Sequence, residues 1–281
     1  MSRPRTLTPS ASPMHFFGSE VRRAREAAGM SQAELGDLVP CDKSTVSRVE
    51  ANLTMPDEAF ALACDAAFSQ SGGFFTRFFS ANQNWATASA FPAAFRDFVL
   101  DEAEATALFV FEHSTVPGLI QTEEYARAVL SRHPGVTERQ VSERLSARLA
   151  RQAVLTRDAP PPPFLWAVLD EAALHREIGG AKIMHDALTH VAEMAVRPNV
   201  TVQIIPATGD YHVGLQGAFT IAEVAGAAVS ANVDDITDGR RTDDAATVAD
   251  VALRFRWLQS LALPKSLSLD MLAKAVDRWN T

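Results

Sequence analysis

Between Gly18 and Phe79 apolar residues recur at helical spacing, interrupted at Gly29, at Pro40, across Asn52 to Pro56 and at Gly72-Gly73. The pattern predicts five short helices. Past residue 90 the period changes. Short β-type runs at 105–111 (ATALFVF), 164–169 (FLWAVL), 200–205 (VTVQII), 218–224 (AFTIAEV) and 227–233 (AAVSANV) predict five strands. Helical runs at 123–131, 138–155, 171–178, 181–196, 244–260 and 266–279 alternate with them. Thr137 with Gln140 three residues on forms a capping box ahead of the second of these runs, and Thr122 caps the first, with Glu123 and Glu124 at its positive end. The expected fold class is mainly α with α/β: an N-terminal five-helix domain followed by a C-terminal mixed α/β domain.

Composition places the boundaries. The opening residues are rich in Ser, Thr and Pro, so 1–17 is read as a disordered arm, 18–80 as the helical domain, 81–90 (small and polar apart from Trp85) as a linker and 91–281 as the α/β domain. Asp158 to Pro163 (DAPPPP) reads as an extended spacer leading into the strand at Phe164.

The chain has 281 residues, 47% hydrophobic and 21% charged, the balance of a folded globular protein of about two domains. No apolar run follows Arg3 and Arg5 as a signal peptide would require, and none is long enough for a membrane span, so a cytoplasmic, nucleoid-associated protein without membrane contact is expected. Two cysteines, Cys41 and Cys64, suggest buried thiols in a reducing compartment. The net charge of −8 argues at first against nucleic acid, yet it is uneven: residues 1–80 are nearly neutral and the acidity lies beyond them. Arg22, Arg23, Arg25, Lys43 and Arg48 leave room for a small basic face.

The most informative stretch is MSQAELGDLVPCDKSTVSRVEAN, 30–52. Ser31 and Glu34 make a capping box that starts one helix. After a Pro40-Cys41 turn, Asp42 is placed to cap a second, Lys43 to Glu50. Val46 and Val49 turn this second helix inward, leaving donors and small polar groups for phosphates and base edges in a major groove. This run, with the preceding Arg22-Arg23-Ala24-Arg25-Glu26-Ala27-Ala28-Gly29, resembles the helix-turn-helix of the Xre and lambda-Cro-like repressor family. The resemblance implies that Gln32 and Ser44 hold the sugar-phosphate backbone and that Lys43, Thr45, Ser47 and Arg48 reach base edges. Arg22, Arg25 and Asn52 are weaker backbone candidates, and Glu50 is structural. Pro40 and Asn52 stand where that family usually has glycine.

FEHSTVPGLIQTEEYARAVL (111–130), Arg148-Leu149-Ala150-Arg151-Gln152, Leu169 to Leu174, Ile178-Gly179-Gly180, Arg197 to Pro206 and Gly214 to Phe219 resemble the C-terminal domain of WhiJ-like actinobacterial regulators. That resemblance implies control of development or secondary metabolism with a small partner protein, in an antitoxin-like arrangement. His175, His185, His190 and His212 form no HExxH or other catalytic motif and read as scattered surface histidines. Asp170 and Glu171 read as helix-start charges. No enzyme, metal or cofactor is expected. Trp166, Tyr211 and His212 read as core more readily than as a small-molecule pocket. The expectation is a sequence-specific regulator of double-stranded DNA acting as a homodimer. The alternatives are a transcription factor gated by an unidentified small ligand, and an antitoxin-like protein-interaction module.

Overall fold

The computed structural model describes residues 13–39, 43–51, 56–69, 73–81, 93–207, 211–234 and 239–280. The chain divides into two compact units, 1–89 and 90–281. Most of the expected arm, the Pro40-Cys41-Asp42 turn with its N-cap, Asn52 and nearly all of the expected linker lie outside the described residues.

Five helices are described in the first unit: α1 (Pro13–Ala27), α2 (Gln32–Leu38), α3 (Lys43–Glu50), α4 (Glu58–Ala67) and α5 (Phe74–Ala81). Helix α1 begins inside the stretch read as an arm, because that stretch ends in an aromatic anchor that its Ser/Thr/Pro composition masks. Phe17 is buried, and the Phe16 ring stacks on Phe78 at 5.2 Å. Gly29 takes φ +68° just after α1, a left-handed position that glycine occupies without steric penalty. The Ser31–Glu34 capping box then opens α2 as the spacing predicts. Leu35, Val39, Val46, Val49, Phe60, Cys64 and Phe75 fill the core. Asp65 of α4 is buried and accepts from the backbone N–H groups of Phe75 and Thr76, both at 2.8 Å, so one helix caps the next from a distance.

In the second unit a six-stranded mixed sheet runs in the order β3-β2-β1-β4-β5-β6. Its strands are β1 (Ala107–Glu112), β2 (Phe164–Asp170), β3 (Val200–Ile205), β4 (Phe219–Val224), β5 (Ala227–Val233) and β6 (Arg240–Thr242). β1, β2 and β3 pair in parallel, and β4, β5 and β6 add an antiparallel half. Five strands were expected. The sixth, β6, is three residues long and carries two arginines, too short and too polar to register as a strand by hydrophobic pattern. The described helices are α6 (Ala93–Glu104), α7 (Glu123–Leu130), α8 (Glu138–Gln152), the single turn α9 (Ala172–His175), α10 (Ala181–Val196), α11 (Ala245–Leu261) and α12 (Lys265–Arg278).

The sequence pattern missed α6, whose charged residues interrupt its apolar ones; it is anchored by Phe98 and Val99, both buried. The helix expected over 171–178 shrinks to α9. Gly179 and Gly180 follow at φ +77° and +107°, which no continuing α-helix allows.

Alternation along the central strands divides the core into two layers. Leu108 and Val110 of β1, with Leu165, Ala167 and Leu169 of β2, face α10 and α12. Phe111, Val168 and Phe219 face α11, where Val251, Phe255 and Leu258 cover them. Strands apolar on both faces are what a parallel sheet covered by helices requires.

Candidate nucleic-acid interface

Helix α3 is fixed from beneath by three residues. Val46 and Val49 are fully buried, and Glu50 has no solvent exposure at all. A buried carboxylate is stable only when its lone pairs are filled. Here Glu50 accepts from Arg25 Nε at 2.6 Å and Nη2 at 3.0 Å, and from Gln32 Nε2 at 2.9 Å, with Arg22 Nε 3.6 Å away. One carboxylate thus ties α1, α2 and α3 together and sets the angle between the two helices of the motif. The Glu50 acceptor raises the Arg25 pKa further above its ordinary value.

The expected site residues separate on this frame. Arg48 is exposed and, among the described residues, its guanidinium donates only to Thr45 Oγ1, at 3.4 Å; Thr45 and Ser47 are half-buried on the same helix. Three of the expected base-reading residues therefore sit on one helix whose opposite side is locked into the core. Lys43 and Ser44 open α3, but their side chains, like Asn52, lie outside the described residues.

Two expected backbone contacts read differently in the structure. Arg25 spends its guanidinium on Glu50 and on the carbonyl of Met30, at 2.7 Å, and only 11% of its side chain is exposed, so it is a structural ion pair and not a hand held out to phosphate. Gln32 gives one amide hydrogen to Glu50, which leaves the second for any other acceptor. Arg22 remains partly exposed beside the C-terminal end of α3 and donates weakly to the Glu50 carbonyl at 3.5 Å. Glu50 was legible as structural, but its claim on Arg25 was not, because the pair is 25 residues apart in sequence.

In the second unit the groups weighed for catalysis or for a small-molecule pocket are scattered. Asp170 Oδ1 accepts from the Ala172 N–H at 2.8 Å, the helix-start role expected of it. His212 is not at the surface: it is buried, with Nε2 3.0 Å from Asp170 Oδ2. Tyr211 is 67% exposed, and the exposed Trp166 donates to Gln203 Oε1 at 2.7 Å, so neither is core. Among the described residues no group of three or more His, Cys, Asp and Glu side chains could hold a metal ion, and no helix is long and apolar enough to cross a membrane.

Comparison with known proteins separates the same two regions. A family model described as a helix-turn-helix domain matches residues 17–72. Another, described as Domain of unknown function (DUF5753), matches residues 95–274. No curated protein and no solved structure matches the chain. The helix-turn-helix match assigns the geometry around α2 and α3 to a DNA-binding motif, and the longer match spans more than half of the sequence. The chain belongs to the DUF5753 family, with a helix-turn-helix domain preceding the family's own.

Proposed function

We propose that the protein is a sequence-specific transcriptional regulator of the Xre type, cytoplasmic and associated with the nucleoid, which inserts α3 into the major groove of double-stranded DNA. The observation that carries this reading is the division of α3 into a side locked by Val46, Val49 and Glu50 and another bearing Thr45, Ser47 and the exposed Arg48. Arg48 supplies the bidentate donor that a guanine edge accepts, and Thr45 and Ser47 supply shorter hydroxyl contacts.

One eight-residue reading helix in a nearly neutral domain gives little affinity alone, so the active form is a homodimer on two half-sites about one helical turn apart. The resemblance to WhiJ-like regulators supports a role in development or secondary metabolism with a small antitoxin-type partner protein.

The test is selection of bound DNA by the full chain, followed by gel-shift titration of the selected site. Arg48→Ala is expected to weaken specific binding by about 1–3 kcal/mol and to relax preference at one base position. Because the exposed Arg48 makes only a long hydrogen bond to Thr45 among the described residues, the melting temperature is expected to stay unchanged. Unaltered affinity at the selected site would remove Arg48 from the reading face. Binding that does not weaken as salt rises would reject DNA as the partner of α3.

A further inference from the structure

The second unit carries a half-open pocket of about 470 Å³, within the range of metabolite pockets. It lies between α8, the start of α6, the end of β1 and the end of β5. Its lining is unusual for a core. Arg144, Arg148 and Arg151 project from one face of α8, while Glu112 of β1 and Asp234 just after β5 supply negative charge. Glu102 of α6 completes the set, 3.0 Å from Arg151 Nε. An apolar wall that includes Phe95, Leu119 and Val129 closes part of the space.

The fold satisfies these charges only in part. Arg148 Nη1 donates to the buried Gln121 at 2.8 Å, but its Nε is buried with no acceptor among the described residues. Arg144 makes no hydrogen bond or ion pair among the described residues. Asn232 is buried and donates to Asp234 at 2.8 Å, while its own carbonyl oxygen has no donor among the described residues. Glu112 holds one hydrogen bond, from Thr115 Oγ1 at 3.0 Å.

The charges also repel one another in pairs. Burial and then the neighbouring Asp234 push the Glu112 carboxyl up to about 8, although Thr115 and Arg148 oppose the shift. Burial and then Arg151 bring the Arg148 guanidinium down to about 10. A pocket with two crowded carboxyls toward β1 and β5, whose full ionisation an incoming cation would favour, and crowded cations on α8 asks for a ligand carrying both signs.

We infer that this cavity binds a small zwitterion, an amino acid or dipeptide with an apolar side chain, whose carboxylate meets Arg144 and Arg148 and whose ammonium meets Glu112 and Asp234. A carboxylate fills the orphaned Arg148 Nε, and a planar guanidinium suits it geometrically. The ammonium separates the two carboxylates, and the Phe95 wall receives the side chain.

The inference needs no DNA and stands apart from the role of α3. The probe is a panel of free α-amino acids and dipeptides with apolar side chains, added at millimolar concentration to the full chain. Thermal unfolding and isothermal titration are the readouts. Each zwitterion is matched with its deaminated acid and its decarboxylated amine.

At least one zwitterion is expected to raise the melting temperature, with both matched compounds binding about tenfold or more weaker. Arg144→Gln and Glu112→Gln are each expected to reduce affinity by a similar factor, whereas Arg139→Gln, on an exposed stretch of α8, leaves it unchanged. Among the described residues Arg144 has no hydrogen-bond or ion-pair partner to lose, so its variant reports on binding without confounding stability. No shift with any zwitterion would overturn the inference. So would an acid or amine that binds as tightly as its zwitterion, or full binding by both cavity variants.

Discussion

Both units bury ionised side chains, but they treat them in opposite ways. In the helical unit, the Glu50 carboxylate is sealed from water and met by donors from α1 and α2, so its charge is consumed by the architecture. In the α/β unit, Glu112, Arg144 and Arg148 line a half-open space, and buried polar atoms there lack partners among the described residues. A buried charge whose hydrogen-bonding capacity is filled from within specifies a fold; one left partly unfilled beside a cavity is available to something else. The comparison predicts its largest effect at Glu50. Glu50→Ala takes from the largely buried Arg25 its main partner, leaving it the more distant Glu26 and the Met30 carbonyl, and is expected to destabilise the helical unit by about 3 kcal/mol, with DNA binding lost through loss of structure. Hydrogen exchange of the α1 to α3 amides measures it, and a loss below about 1 kcal/mol would mean that the three helices do not depend on this carboxylate.

The other half of the comparison predicts a dependence on pH. Burial pushes Glu102 up to about 7 even with Arg151 beside it, and burial together with Asp234 pushes Glu112 up to about 8. Both folded values lie above the ordinary 4.5, so the folded α/β unit holds protons that the unfolded chain has released. The stability they contribute is complete below about pH 4.5, falls as pH rises through 7 and 8, and is flat above. Denaturant titrations of the full chain, followed by tryptophan fluorescence, to which Trp166, Trp257 and Trp279 of this unit contribute, are expected to show a loss of several kcal/mol between pH 5 and pH 9. The Glu102→Gln/Glu112→Gln double variant removes most of it. An unchanged slope in that variant would assign the dependence to other groups.

What the sequence made legible follows from the range of each interaction. Capping boxes at Ser31 and Thr137 and the short β-type runs at 164, 200 and 227 rest on neighbours within a few residues, and the structure has them there. The inward turn of Val46 and Val49 was equally local, and the structure buries both. Arg25 was misjudged because its partner is set by how helices cross. The cavity was invisible for the same reason. Arg144, Arg148 and Arg151 recur at spacings of four and three beside the buried Val141 and Leu145, a pattern that reads as a solvated helix edge until α6, β1 and β5 are placed against it. Its acids come from positions 102, 112 and 234, and no local period links them.

The smallest effect separates stability from the cavity within one hairpin. β4 turns into β5 through Ala225 and Gly226, at φ +51° and +82°, and a two-residue hairpin turn with both dihedrals positive suits glycine or asparagine better than alanine. Replacing Ala225 by Gly relieves the contact between its Cβ and the backbone, against a higher chain entropy in the unfolded state, so a net gain of about 0.5 kcal/mol is expected. The hydrogen bond from the residue-225 N–H to Thr106 Oγ1, 3.1 Å, survives the change. The cavity meets the same hairpin at Thr220 and Asn232, which pair at its far end, about 15 Å along the strands. Ala225→Gly is therefore expected to raise the denaturant midpoint of the α/β unit while leaving zwitterion affinity and the pH dependence as they were. A change in either would show that the unfilled charges are coupled to the stability of the whole sheet, and the contrast with Glu50 would then be one of degree.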